Sequence, residues 1–472
     1  MPVPFWKQTF AESMYSSVGL ISSPTLLDSA TFDVRFAAAT WLNEPKMVEV
    51  FSSDSKNGSV EWSYQPATLN HSASTLAVAT ARHVDFNSSG RVDMVVARYL
   101  QGKEGGTCTL LGFNSKNSAG KPVWEYSVAG NCTVDLTLEG DSKPTLKMSD
   151  DGSTVIFAVT VYSVEGESNI PELHCIDGQI GNAIFVFQPE NKQSGAKSVS
   201  MSRGGDYIAY GNGLTIYVLE KATGQLRNKA PLVRQIESDV VICPMGTFLL
   251  YAVNDGSVVR RWNATSKEYQ LTPFQPKTPA GAPNTWIAVS HATSVNGEGK
   301  NPAGCLAAVG WLGMGLNQGI AKLEVFSMLT GQVYVSWTSN NGGSLENFPV
   351  MAMHLGYTAL GLWGNRAAAT QPNIYLFHID SGNEPVAEYS STGSVMAIDL
   401  VYAPYALPPL NGRHQLAKND QEAKVFLIAA GKLEHATVLG RGGRCLAFSI
   451  PVPARPPPPV LATSGTFHSV RL

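Results

Sequence analysis

Charge is what this 472-residue chain has least of: Asp, Glu, Lys and Arg make up 15% of it, against about 25% in an average soluble domain. Its net charge is −3, so no basic field exists to attract phosphate backbones, and nucleic acid is not an expected partner. A surface with so few charges must be made polar by Ser, Thr, Asn and Gly, a composition commoner in secreted proteins than in cytosolic ones. No run of apolar residues approaches the roughly 18 needed for a membrane span. The start, MPVPFWKQTF, has neither the basic first residues nor the apolar run of a signal peptide. Pro4 to Phe10 already read as folded strand, so the expected setting is extracellular or at the cell surface, with a leader absent from this numbering.

Catalytic signatures are missing too. There is no HExxH, no GxSxG elbow, no P-loop and no CxxC, so zinc proteases, α/β-hydrolases, P-loop enzymes and thioredoxin-like or zinc-ribbon sites find no support. The nine histidines stand singly. The run Gly313-Met314-Gly315-Leu316-Asn317-Gln318-Gly319 joins two predicted strands and opens no helix, so it reads as an inter-strand loop rather than a dinucleotide cradle. Asp150, Asp151, Asp177 and Asp255 sit in turns beside glycine, where carboxylates hold backbone conformation.

What the chain has in abundance is one recurring phrase: a short apolar strand, a turn rich in Gly, Asn, Ser or Lys, then a strand carrying an aromatic. It occurs as MVEVFSSDSKNGSVEWSY from Met47, LLGFNSKNSAGKPVWEYSV from Leu110, IYVLEKATGQL from Ile216, LEVFSMLTGQVYVSW from Leu323 and IYLFHIDSGNEPVAEY from Ile374. These read as the outer hairpins of propeller blades, each blade being a four-stranded antiparallel meander with its first strand at a central channel. Innermost strands are expected from Val18, Thr75, Thr145, Ser198, Asp239, Trp286, Val350 and Val395. Second strands are expected from Asp33, Asp93, Thr154, Tyr207, Phe248, Cys305, Ala359 and Lys424. They are short, rich in Val, Ile, Ala and aromatics, and bounded by turn residues.

The fold expected is therefore all-β, an eight-bladed β-propeller, with seven blades as the alternative. The last unit has three local strands, VMAIDL, KVFLIAAG and RCLAFSI. Pro4, Phe5, Trp6 and Lys7 match the fourth-strand phrase from Pro122, so the N-terminus is expected to close the ring and remove its open sheet edge. Residues 1–453 form one propeller in this reading. Residues 454–472 form an extended Pro-rich C-terminal tail, because four prolines from Pro456 cannot join a sheet interior.

Ala222-Thr223-Gly224 and Leu329-Thr330-Gly331, the latter followed by Trp337, resemble the hairpin phrase of quinoprotein-like (PQQ-like) eight-bladed propellers. The resemblance implies the same fold. The quinone-dependent enzymes of that family carry adjacent cysteines at the cofactor, and this chain has no Cys-Cys pair, so no PQQ is expected. A second, local run, from Asp85 to Ala97, resembles the calcium loop of FG-GAP repeats in integrin-type propellers. That resemblance implies one structural calcium ion, with Asp85, Asn87, Ser89, the carbonyl of Arg91 and Asp93 as hard oxygen ligands around a turn at Gly90. An eroded copy begins at Ser294, with Pro302 where its last acid would stand.

Six cysteines occur. Cys108 lies at the start of a third strand and Cys132 follows the fourth, so an antiparallel hairpin brings them near one another as a candidate disulfide. Such a loop closure contributes about 3 kcal/mol in the chain-entropy account. Cys175, Cys243, Cys305 and Cys445 fall in different blades, mostly inside strands, as buried free thiols. Glycosylation sequons stand at Asn57, Asn70, Asn87, Asn131 and Asn263, all in expected turns or loops, and Asn87 cannot both carry a glycan and hold calcium.

The function these features point to is a non-enzymatic extracellular structural or adhesive propeller, a self-assembling subunit whose partners are further copies engaged through the C-terminal tail, or other extracellular proteins or glycans. Two alternatives stay open: a quinoprotein-like or polysaccharide-lyase-like enzyme working at the channel mouth, and a cytosolic scaffold propeller.

Overall fold

The computed structural model describes residues 2–452 apart from 11–13, 23–33, 42–47, 53–59, 65–72, 83–90, 103–104, 117, 129–130, 134–144, 163–168, 191–195, 203–204, 234–235, 244–245, 254–255, 277–285, 292–304, 313–319, 340–347, 364–371, 392, 404–422 and 433–442. Among the described residues there is no helix. A lone strand, β1 (Trp6–Phe10), precedes blade one, which is β2 (Met14–Ser22), β3 (Val34–Trp41), β4 (Val48–Ser52) and β5 (Trp62–Tyr64). Blade two is β6 (Ala73–Thr80), β7 (Met94–Gly102), β8 (Gly105–Phe113) and β9 (Trp124–Val128). Blade three is β10 (Asn131–Thr133), β11 (Leu146–Met148), β12 (Thr154–Tyr162), β13 (Asn169–Asp177) and β14 (Ala183–Phe187). Blade four is β15 (Ala196–Met201), β16 (Tyr207–Asn212), β17 (Thr215–Glu220) and β18 (Leu226–Pro231). Blade five is β19 (Ile236–Ile242), β20 (Phe248–Val253), β21 (Gly256–Asn263) and β22 (Glu268–Leu271). Blade six is β23 (Trp286–His291), β24 (Cys305–Leu312), β25 (Ala321–Ser327) and β26 (Val333–Thr338). Blade seven is β27 (Phe348–His354), β28 (Tyr357–Trp363), β29 (Ile374–His378) and β30 (Ala387–Tyr389), and blade eight holds β31 (Val395–Ala403), β32 (Ala423–Lys432) and β33 (Gly443–Val452).

Each inner strand lies against the inner strand of the next blade, and β31 returns to β2, so the ring closes as an eight-bladed β-propeller. The eight inner and eight second strands all fall where the repeat predicts them. The missing fourth strand of blade eight is β1, paired antiparallel with β33 so that Trp6 faces Ala447 and Phe10 faces Gly443. First and last strands of the described chain thus share one sheet, which leaves the ring no unpaired seam.

Burial along each blade follows from sheet stacking. Second strands such as FLLYAV of β20 and CLAAVGWL of β24 are buried at every residue, because both faces are covered by neighbouring blades; their sequences are accordingly continuous apolar runs. Rim strands are shared between neighbour and solvent and alternate, as in WEYSV of β9 with Trp124 and Val128 buried and Glu125 exposed.

Blade three departs from the repeat. Asn131 and Cys132, expected in a connection, form β10, which pairs with Tyr162 to Thr160 of β12, while β11 pairs with Phe157 to Val155 of the same strand. The nine-residue β12 is longer than the three-residue β11 can cover, and β10 takes up backbone groups that the rest of its edge leaves open. Asn263 is likewise the last residue of β21 rather than a loop residue, although it opens the hairpin turn.

At the rim the seams are built from aromatics set on hairpin turns. Gly224 and Gly331, the glycines of the two TG turns, have φ of +66° and +75°, and a Cβ there would come within 2.8 Å of Phe185 and 2.5 Å of Phe274 respectively. Each ring belongs to the preceding blade, so glycine is required twice over, for the left-handed turn and for the close approach. Trp124 of blade two donates from Nε1 to the carbonyl of Gly178 in blade three at 3.0 Å. Trp337 of blade six packs against Tyr375 and Phe377 of blade seven with ring centroids 4.7 and 5.5 Å apart, and Tyr389 of blade seven meets Phe448 of blade eight at 5.1 Å. Between blades four and five an arginine replaces the aromatic: Arg227 lies over the rings of Tyr207 and Trp262 at 4.0 and 3.9 Å.

Candidate functional site

The inner strands surround a central cavity of about 340 Å³ to which all eight blades contribute. Small residues such as Ala79, Ala288, Ala352 and Ala397 let eight strands converge, and five methionines, Met148, Met201, Met351, Met353 and Met396, fill the irregular space between them. Among the described lining residues there is no histidine or cysteine; the charged ones are Arg82, Lys147, Asp150 and Asp399.

Two of those charges form the best-defined polar cluster of the channel. Asp399, in the apolar inner strand of blade eight, accepts from the Arg82 guanidinium on Oδ1 at 2.6 Å and from the backbone N–H of Leu20 on Oδ2 at 2.9 Å. Arg82, just past the inner strand of blade two, also donates to the carbonyl of Met353 in blade seven at 3.2 Å. One ion pair therefore ties blades seven, eight, one and two together where the ring closes. Its charges are largely buried and used by protein partners, so it holds strands in place and leaves no free nucleophile or base.

The same device recurs with hydroxyls and one imidazole. The inner strand of a blade is hydrogen-bonded on one edge only, and the N–H groups of its other edge need acceptors. Ser17 of blade one accepts from Val78 N at 3.0 Å, Ser198 and Ser200 of blade four accept from Val240 and Ile242 N at 2.9 and 3.0 Å, and His354 Nδ1 of blade seven accepts from Tyr402 N at 3.0 Å. In each case the acceptor belongs to the preceding blade.

Of the five expected calcium ligands, Asp85, Asn87 and Ser89 lie outside the described residues. Asp93 is buried in the seam between blades one and two, where its carboxylate accepts from the backbone N–H and the hydroxyl of Ser115, both at 2.7 Å. The Ser115 carbonyl in turn accepts from Trp62 Nε1 at 2.6 Å and from Arg35 at 3.2 Å, and Arg35 is paired with Glu61. Burial pushes the Asp93 carboxyl up to about 6, against the opposing pull of the Ser115 hydrogen bonds and the Arg35 charge. The Arg91 carbonyl accepts from Asn114 Nδ2 at 2.5 Å. Both described members of the ligand set thus already serve protein donors.

Cys175, Cys243, Cys305 and Cys445 are free and buried, as expected. Cys108 lies in β8 and is not one of them, and β10, which carries Cys132, runs alongside β8; the Cys132 side chain lies outside the described residues. So do Asn57, Asn70, Asn87 and the side chain of Asn131. Asn263 accepts from the N–H groups of Thr265 and Ser266 at 2.9 and 3.2 Å and donates to Gln270 at 3.0 Å, so its amide holds the turn. Asp151 and Asp177 behave as turn carboxylates, the first accepting from Ser149 and Ser153, the second from the N–H groups of Gln179 and Ile180. Asp255, the glycine run from Gly313, the eroded calcium-loop copy around Ser294 and the tail 454–472 lie outside the described residues.

Sequence reasoning missed the Arg82–Asp399 pair, although a lone acid inside VMAIDLVY was a visible signal. It also missed a chain on the seam between blades two and three: the Tyr126 hydroxyl is hydrogen-bonded to His174 Nδ1 at 2.9 Å, and His174 Nε2 to Glu172 at 2.9 Å, which also accepts from Gln188 at 2.8 Å. The His174 hydrogen bond holds the Glu172 carboxyl below its ordinary value despite partial burial. No local motif marks this chain, because its members come from strands of two blades.

No protein-family model matches the chain, and no curated protein matches it in sequence. Solved structures do match in shape. Sqt1 of Saccharomyces cerevisiae superposes with a TM-score of 0.56 at 11% identity, over 96% of this chain and 100% of that one. BamB from Moraxella catarrhalis (TM-score 0.42, 11% identity, 93% and 97% coverage) and the β-propeller domain of Cps50 (Swd1) from Myceliophteria thermophila (0.41, 11%, 76% and 95%) also match. At such identities the likeness is one of fold, and the two lower scores add nothing to it.

Proposed function

We propose that this chain is a non-enzymatic structural propeller that works by docking, with the rim of blade three as its attachment surface and a further copy of the same chain as its partner. The supporting observation is β14, AIFVF. It pairs on one side only, with β13, and carries no charge; Ile184 and Val186 are 41% and 46% exposed while Phe185 and Phe187 pack toward blade four. An open, uncharged edge strand offers its backbone groups to another strand, whereas rim strands such as LRNKAP of β18 carry the charges that discourage this. The segment after Pro453, with VLATSGTFHSVRL beyond its prolines, is the proposed donor of that strand. An extracellular or cell-surface setting, glycans on the sequons, a Cys108–Cys132 disulfide and a structural calcium at the Asp85–Asp93 loop belong to this reading as proposals.

A cytosolic scaffold is the second reading, favoured by four cysteines kept as free thiols. Size-exclusion chromatography with light scattering separates the possibilities. On the docking reading the intact chain runs above monomer mass, and both the double substitution Ile184→Lys, Val186→Lys and deletion of residues 454–472 return it to monomer. A monomeric intact chain, or an oligomer indifferent to both changes, overturns it.

A further inference from the structure

Lys147 is the middle residue of β11, the inner strand of blade three; Leu146 and Met148 are buried on either side of it while Lys147 is exposed. Exposure on an inner strand is exposure to the channel, and Lys147 lines the central cavity. Two carboxylates share that wall. Asp399 is taken up by Arg82 and by the N–H groups of Leu20 and Leu400, and Asp150 stands past the strand, in the turn that follows it. No salt bridge joins the Lys147 ammonium to a carboxylate among the described residues. The rest of the wall is apolar and only partly covered: Val18, Met201, Val241, Ala288, Met396 and Ile398, from blades one, four, five, six and eight, line the cavity and are half-buried. Its serines are already in use. Ser17 and Ser200 accept from the next blade, and Ser149 and Ser202 accept from the N–H groups of Thr154 and Tyr207.

We propose that the central channel binds a small aliphatic carboxylate, its head on the Lys147 ammonium and its chain against the aliphatic residues and methionines of the hub. The cavity of about 340 Å³ lies at the lower end of the range in which pockets hold small organic molecules, about 300–1,000 Å³. One ammonium with no bonded carboxylate suits one anionic head. A phosphate or a sugar would need several donors, and the serines that could supply them serve the blades instead. The five methionines, unbranched and polarizable, repack around a flexible chain more readily than branched residues do. Inside the hub the pairing of head and ammonium is screened less than it would be on the outer surface. The site lies apart from the rim of blade three and does not depend on docking there.

The experiment is a calorimetric titration of the full-length protein with octanoate, octanol and acetate, repeated on Lys147→Met and Lys147→Arg. Expected is one octanoate per chain, bound about tenfold more tightly than octanol, which lacks the charge, while acetate, which lacks the chain, gives no measurable binding. Lys147→Met is expected to weaken octanoate about tenfold and leave octanol unchanged, which shows that the channel is intact. Lys147→Arg keeps the charge and is expected to bind octanoate within about twofold of the parent. Absence of octanoate binding overturns the proposal, and so does octanoate bound no more tightly than octanol. Equal affinity for octanoate in the parent and Lys147→Met places the ligand elsewhere and overturns it as well. Loss in Lys147→Arg to the same extent as in Lys147→Met overturns the role of the charge.

Discussion

Rim and channel hold the same blades together by different chemistry. At the rim the contacts are aromatic, two of them seated on glycine turns: Phe185 on Gly224, Phe274 on Gly331, and Trp6 stacked on Phe51 at 3.8 Å. In the channel they are polar and aimed at backbone: Ser17, Ser200, His354 and Asp399 each accept an N–H from the next blade. The difference follows from geometry. Blades diverge outward, leaving room between rim strands for large rings, while at the hub the strands crowd and their unpaired edges must be satisfied by short side chains.

If the rim supplies mainly packing, its largest single loss comes at the closing strand. Trp6→Ala removes a 3%-exposed indole from the Phe51 stack and loosens the pairing of β1 with β33. Unfolding in denaturant should show a loss of about 4 kcal/mol; a loss near zero would mean that β1 does not close the ring. The channel is expected to respond to removal of one acceptor instead of one volume. Asp399→Ala strands the Arg82 guanidinium and the Leu20 N–H, and a loss of about 2 kcal/mol is expected by the same measurement. A neutral result would show that water replaces the carboxylate and that the hub does not depend on this pair.

Asp93 sharpens the comparison because it places a channel-like polar device in an outer seam. Burial disfavours the anion and pushes its native carboxyl up to about 6, against about 4 for an unfolded aspartate. The folded protein therefore holds this proton more tightly. That contribution is fully present below about pH 4 and is lost as pH rises through about 6. Asp93→Asn cannot ionise and keeps an acceptor for Ser115 N, so its stability relative to the parent should rise by about 2 kcal/mol between about pH 4 and pH 7. A difference that does not change with pH would mean that Asp93 stays solvated or is held ionised by a cation.

Much of this was written locally. The hairpin phrase marked five blades, the inner and second strands completed eight units with a shortage in the last, and Phe5 and Trp6 marked the strand that makes good the shortage. Blade three was the exception, because β10 has no strand signature of its own: three residues, Asn131-Cys132-Thr133, pair only because β12 outruns β11. The channel pair escaped for a similar reason. Arg82 and Asp399 stand 317 residues apart, and neither belongs to a spacing pattern.

The chain by itself determined the strand order and pointed to eight blades before seven, since both depend on alternation, turn chemistry and apolar runs over a few residues. Only the closed ring decided which polar groups meet: Asp399 with Arg82, Arg35 with the Ser115 carbonyl, Tyr126 with His174. Each pair straddles a seam or the closure of the ring, and the distance across it is set by how eight twisted sheets pack around one axis, which no local stretch of sequence encodes.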